Sequence, residues 1–185
     1  MDMRSVRLVV VKIGVLCVIL VIAGRLSLFL TGTSEGVALI WLPAGIALVT
    51  LVFIDRHLWP GVTIGSFITN VTFGLPTVTA FGIAAGSTLG AVVGVYALQL
   101  AAFSRRPEKI INVVKFNGIG APASALVSAI VGVTALHVTG IIPEESLLDN
   151  GLRWWIGDAL GIILVGGLMW AYFGIRPPAK MRDVP

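Results

Sequence analysis

Residues 152–174 read LRWWIGDALGIILVGGLMWAYFG, an apolar run long enough to cross a bilayer as a helix and broken by a single carboxylate at Asp158. If that carboxylate faced lipid it would cost about 2.5–3.5 kcal/mol. A partner inside a helix bundle, a buried ligand or a moving proton are the usual compensations, so a functional reading starts at Asp158. The composition around it agrees. Hydrophobic residues make up 57% of the 185 and charged residues 12%, with a mean hydropathy of +0.99, values of a polytopic membrane protein rather than a soluble domain. A span takes roughly 20 apolar residues. Six are expected, at 8–30, 37–54, 58–73, 77–103, 118–142 and 152–174, forming an all-α transmembrane bundle that is one domain over 1–185. Residues 110–117, an apolar octet carrying Lys115, read equally as an interfacial segment or as two further turns of the fifth span.

The first span is expected to be a retained helix rather than a signal peptide. Arg4 and Arg7 precede it, but it continues to Leu30 without the small-residue site that ends a cleavable hydrophobic region of about 7–15 residues. Cys17, the single cysteine, lies inside it, which excludes an intramolecular disulfide and C-x-x-C chemistry. Lysine and arginine set the orientation, because cytoplasmic loops carry the excess. Eleven of the 13 fall on one side: Arg4, Arg7, Lys12, Arg56, Arg105, Arg106, Lys109, Lys115, Arg176, Lys180 and Arg182. Both termini are therefore expected in the cytoplasm. The net charge of +4 follows from this topology and from contact with anionic lipid headgroups, and nothing points to nucleic acid.

Two ribbons of small residues carry the packing signal. Gly82, Gly86, Gly90 and Gly94 repeat every four residues in span four, and Gly120, Ser124, Ser128 and Gly132 do the same in span five. Such faces let neighbouring backbones approach closely, and these two are expected to meet within the bundle rather than form a dimer interface.

Depth turns scattered polar residues into a layer. At about 1.5 Å of rise per residue, Arg25 and His137 lie roughly 7 Å, and Asp158 roughly 9 Å, inside the outer ends of their spans. Asn70, Trp41, Trp154 and Trp155 belong to the same level, with Pro43, whose place in a helix would free the carbonyl of Leu39. Together they outline an outward-facing polar pocket. Each has a plainer reading. Arg25 can snorkel to the headgroups instead of pairing with Asp158. Asp158 itself can simply hold helices together, Trp154 and Trp155 can be belt residues, Asn70 can bond a neighbouring helix, and His137 can be an interfacial side chain. Trp154 stands one turn from Asp158 and shares its face.

Catalytic arrangements do not assemble from these residues. The layer has no second carboxylate in a plausible pair and no serine placed between a base and an oxyanion donor. His57 and His137 fall on opposite sides of the membrane and cannot share a metal. No phosphate-cradling loop with a lysine occurs. The expectation is a binding protein that is not an enzyme and carries no cofactor.

Three blocks carry a family likeness: Trp41-Leu42-Pro43-Ala44-Gly45-Ile46-Ala47-Leu48; Leu58-Trp59-Pro60-Gly61-Val62 with Gly65 and Asn70; and Trp154-Trp155-Ile156-Gly157-Asp158-Ala159-Leu160-Gly161. In order and spacing they resemble the membrane-associated sensor domain of the first MASE type, over nearly the whole chain from the first span. The resemblance implies a sensory module of the bacterial inner membrane. It also implies a histidine kinase or diguanylate cyclase as output partner, in two-component or cyclic-di-GMP signalling. Two departures stand out. Where family members often carry an asparagine and a glutamate in span four, this chain reads Gly86-Ser87-Thr88-Leu89-Gly90, so Ser87 and Thr88 would replace that polar contribution. The chain also reaches Pro185 with no output module, which is expected of a truncated sensor or of one that works with a separate partner.

The sequence therefore leads to a six-helix sensory module in the lipid bilayer, open outward to a small-molecule ligand. An Arg25–Asp158 pair, perturbed by that ligand or by a proton, would shift spans one and six. The alternatives are a substrate-capturing subunit of a vitamin-type transporter and a structural subunit of a membrane complex or homo-oligomer, in which the glycine ribbons would face partner helices.

Overall fold

The computed structural model describes residues 3–31, 39–105 and 109–175, and these form helices and connections with no strand. Six helices follow one another: α1 (Met3–Thr31), α2 (Leu42–Ile54), α3 (Trp59–Thr72), α4 (Thr77–Leu100), α5 (Ile110–Val138) and α6 (Leu147–Ile175). Four of them, α1, α4, α5 and α6, are long and apolar enough to cross a membrane. The expected second and third spans are shorter than the sequence suggests. α3 has 14 residues and is about 21 Å long, against a hydrocarbon core of about 30 Å. Residues 110–117 settle as an extension of α5, through a π-helical turn at Phe116–Gly120.

α2 is the middle of the bundle. It is apolar all round, as a fully buried helix is, and its residues divide between two core clusters. Leu48, Val49, Val52 and Phe53 pack with Leu98, Phe116 and Ile162, while Ala47 and Leu51 pack with Leu16, Leu20 and Val62. Around α2, α1 packs on α3, α4 on α5, and α6 on both α2 and α5. Phe29, Val78 and Leu100 are among the long apolar side chains exposed on the outside, a surface suited to hydrocarbon.

The two small-residue ribbons do meet. A Cβ on Gly82 would strike Ala135, one on Gly86 Val131, and one on Gly90 the Ser124 carbonyl and Ser128, so α4 and α5 run antiparallel in close backbone contact. α1 and α3 run parallel, with Gly61 against Ile13 and Leu16 and Gly65 against Cys17 and Leu20. α2 and α6 also run parallel. Gly45 rests on the Gly161 carbonyl and Val165, and Gly161 on the Trp41 carbonyl. The helices thus alternate in direction, and the start of α1 and the end of α6 share one end of the bundle. The opposite end is called distal below.

Two connections at the distal end are Schellman turns. After α3, Gly74 at φ +88° donates to the Val71 carbonyl and Leu75 to that of Asn70. After α5, Gly140 at φ +74° donates to His137 and Ile141 to Leu136. The start of α2 is held by its neighbours. The Leu42 N–H donates to Ser27 Oγ of α1 at 3.0 Å, and the Trp41 N–H to the Gly157 carbonyl of α6 at 2.9 Å. Pro43 falls in the first turn of α2, where its missing N–H is no loss. The expectation that it breaks a helix and frees the Leu39 carbonyl is therefore corrected: residues 39–41 are not helical.

Candidate functional site

The Trp41 and Trp154–Gly161 blocks of the sequence are two halves of one structural feature. Trp41 lays its backbone along the small-residue face of α6 between Gly157 and Gly161, which any larger residue at 161 would obstruct. Trp41 and Asp158 then line the same two cavities. Phe73 closes the other side, its ring meeting Trp41 edge-on at 6.2 Å between centroids. Trp154, one turn before Asp158, lies against Gly132 of α5, so the α5 ribbon gives Trp154 a seat as well as a close approach to α4.

These residues line a partly open cavity of about 390 Å³ at the distal end, within the size range of small-molecule sites. It is walled by Trp41, Phe73 and Trp154, by Leu75 and Ile141 of the two Schellman turns, and by Asn70, Ser87, Asn150 and Asp158. A smaller cavity of about 20 Å³ lies deeper, bordered by Ser66, Thr69, Ser124 and Ser128, with room for about one water. Trp41, Ser87 and Asp158 line both and so form the partition between them.

Asp158 is 2% exposed. The Ser128 hydroxyl and the Trp154 indole are the polar side-chain groups beside its carboxyl, and its Oδ1 has no hydrogen-bond partner among the described residues. Leaving a buried acceptor unmet costs about 1–3 kcal/mol. Asn70, 6% exposed, donates from Nδ2 to the Ser66 carbonyl at 2.8 Å. Ser66 in turn donates to Ser87 at 3.2 Å, and Thr63 meets Thr88 at 2.8 Å, so hydroxyls join α3 to α4 below the cavity. Ser87 and Thr88 thus do supply the polar contribution of α4.

Of the seven residues singled out from sequence, Asp158, Trp154, Trp41 and Asn70 line the large cavity and three do not. Trp155 donates to the Pro122 carbonyl at 3.2 Å and packs on the core. The His137 ring is 3.2 Å from the Ile142 carbonyl, holding the α5–α6 connection. Arg25 departs most from expectation. It is exposed, donates to the Thr72 carbonyl at 3.1 Å and lies 5.3 Å from the Phe73 ring centre. The expected Arg25–Asp158 pair does not form, because α2 lies between α1 and α6. Arg25 instead meets the last turn of α3, where free carbonyls and the negative end of the helix dipole favour a cation, and an aromatic face. Sequence reasoning missed Phe73, Ser128 and Asn150. Ser128 was visible only as part of the small-residue ribbon, Asn150 as part of a polar connection, and Phe73 carried no signal.

The MASE1 family model matches residues 11–181 of this chain. No curated protein and no solved structure matches it.

Proposed function

Because the chain belongs to the MASE1 family of membrane-associated sensory domains, we propose that the distal cavity is its sensory pocket and that occupancy is passed to the opposite end through α1 and α6. The observation that carries this reading is the Oδ1 of a buried Asp158, which has no hydrogen-bond partner among the described residues, beside a cavity of about 390 Å³. A group that serves packing alone would have its acceptors met, whereas a binding group keeps capacity for a ligand. The coupling route is physical. α6 carries Trp154 and Asp158 near one end and continues to Ile175 at the other, and α1 supports α2 through Ser27 and α3 through Arg25. A ligand that shifts Trp41 against Gly157 and Gly161 changes how α2 seats between α1 and α6, provided its affinity differs between the two arrangements.

In this reading the ends of α1 and α6 face the cytoplasm of a bacterial inner membrane, on the side of the lysine and arginine excess, and deliver the signal to a histidine kinase or diguanylate cyclase. The test is a thermal-shift screen of small molecules on the chain in nanodiscs, alongside the cavity-filling variants Leu136→Trp and Ile83→Phe, at two further residues of the cavity wall. Compounds that stabilise the parent protein and lose that effect in the variants support the pocket. If parent and variants respond alike to every compound, the cavity is not the site. Spin labels at Leu8→Cys and Tyr172→Cys, with Cys17→Ser, then report whether such a compound changes the α1–α6 distance.

A further inference from the structure

The charge and wall chemistry of the distal cavity restrict what it can hold, and the following rests on reading it as the sensory pocket. Among the described residues, Asp158 alone of the cavity lining is charged, and no lysine, arginine or histidine lines it. Arg25, the counter-charge expected from sequence, is engaged at the Thr72 carbonyl and the Phe73 ring, and Arg153, on the same helix as Asp158, pairs with Asp149 at 2.9 Å. An anionic ligand would thus meet a carboxylate and no cation. A divalent metal needs several ligands held in one place, and among the described residues no three His, Cys, Asp or Glu side chains cluster to hold one.

A protonated amine matches each feature in turn. Its N–H groups donate to Oδ1, which has no donor among the described residues, in a charge-assisted bond that is shorter and stronger than a neutral one. Its charge offsets a carboxylate that is 2% exposed. The indoles of Trp41 and Trp154, both lining the cavity, offer the best aromatic faces for a cation. Leu75 and Ile141, carried into the wall by the two Schellman turns, provide an apolar surface for the rest of the molecule. We infer that the cavity takes a small organic amine, with its ammonium at Asp158 between Trp41 and Trp154 and its apolar body toward Leu75 and Ile141.

Three probes that share a ring and differ in charge test this: phenethylamine, 2-phenylethanol and phenylacetate. Each is titrated calorimetrically into the full chain in nanodiscs at neutral pH, with empty nanodiscs subtracting partition into lipid. The amine is expected to bind about tenfold or more tightly than the alcohol, and the carboxylate not at all. Asp158→Asn should bring amine and alcohol within about threefold of each other, while Arg25→Gln should leave the preference intact. The charge series on the parent protein stands even where Asp158→Asn does not fold. Equal affinity for amine and alcohol, or a preference that survives in Asp158→Asn, overturns the amine assignment. If Leu136→Trp then abolishes both, the pocket reading stands without it. If none of the three binds while the thermal-shift screen yields cavity-dependent compounds, the amine class is wrong and the pocket right. If that screen yields none either, both readings fall.

Discussion

Gly161→Ala isolates the contact on which the site is built. A Cβ at 161 would collide with the Trp41 carbonyl, with the Leu42 nitrogen close behind. Backbone cannot rotate away as a side chain can, so α2 must lift from α6. That displacement also stretches the hydrogen bond from the Trp41 N–H to the Gly157 carbonyl, now 2.9 Å. Overpacking costs about 1–3 kcal/mol and the lost bond about 1 kcal/mol, against a gain of roughly 1 kcal/mol from replacing glycine with alanine in a helix. The net expectation is a loss of about 1–3 kcal/mol. Gly167→Ala is the internal control, since it lies in the same helix and a Cβ there has nothing within 4 Å. It should gain up to about 1 kcal/mol. Reversible denaturant unfolding in micelles, followed by tryptophan fluorescence, measures both. Two variants of equal stability would refute the claim that Trp41 is docked on this face.

Ala102 ends α4 at φ 49° in the position glycine occupies in the other two turns, with Phe103 donating to Leu98 and Ala102 to Gln99. Relief of left-handed strain should make Ala102→Gly neutral to about 1 kcal/mol more stable, and Gly140→Ala less stable by about 1–2 kcal/mol, in the same unfolding assay. If Gly140→Ala is the more stable of the two, the capping account fails. Asp55, between α2 and α3, accepts from the His57 backbone N–H at 2.9 Å, and that bond holds its carboxyl below the usual carboxylate range. Its contribution is complete above the unfolded value of about 3.9 and is lost as pH falls through the lower folded value. Melting curves of Asp55→Ala and the parent should therefore differ at neutral pH and converge in acid, whereas a constant difference down to about pH 2 would contradict the assignment. Ser128→Ala takes away the hydroxyl that stands beside the Asp158 carboxyl and should cost about 1 kcal/mol, while Ser124→Ala, on the same ribbon, should cost less. Equal losses would mean that the Ser128 hydroxyl does nothing for Asp158.

Much of this was legible along the chain because a helix in hydrocarbon must be apolar, must satisfy its own backbone and must admit close neighbours only through small residues. Length and hydropathy therefore identified α1, α4, α5 and α6 as spans. The four-residue spacing of Gly82 to Gly94 and of Gly120 to Gly132 likewise identified two faces that pack together. Depth along each helix placed Asp158, Trp154, Trp41 and Asn70 at one level. Helical rise reports depth, however, and says little about adjacency. Arg25 and Asp158 share a level, yet α2 stands between their helices. The C-terminus of α3 and the ring of Phe73 therefore took the guanidinium, and the carboxyl was left at the distal cavity beside Ser128 and Trp154. The late start of α2 at Leu42 came from tertiary contacts too, from Ser27 on one side and Gly157 on the other. An apolar run can mark where a helix is possible, but which neighbour satisfies its first N–H groups decides where it begins.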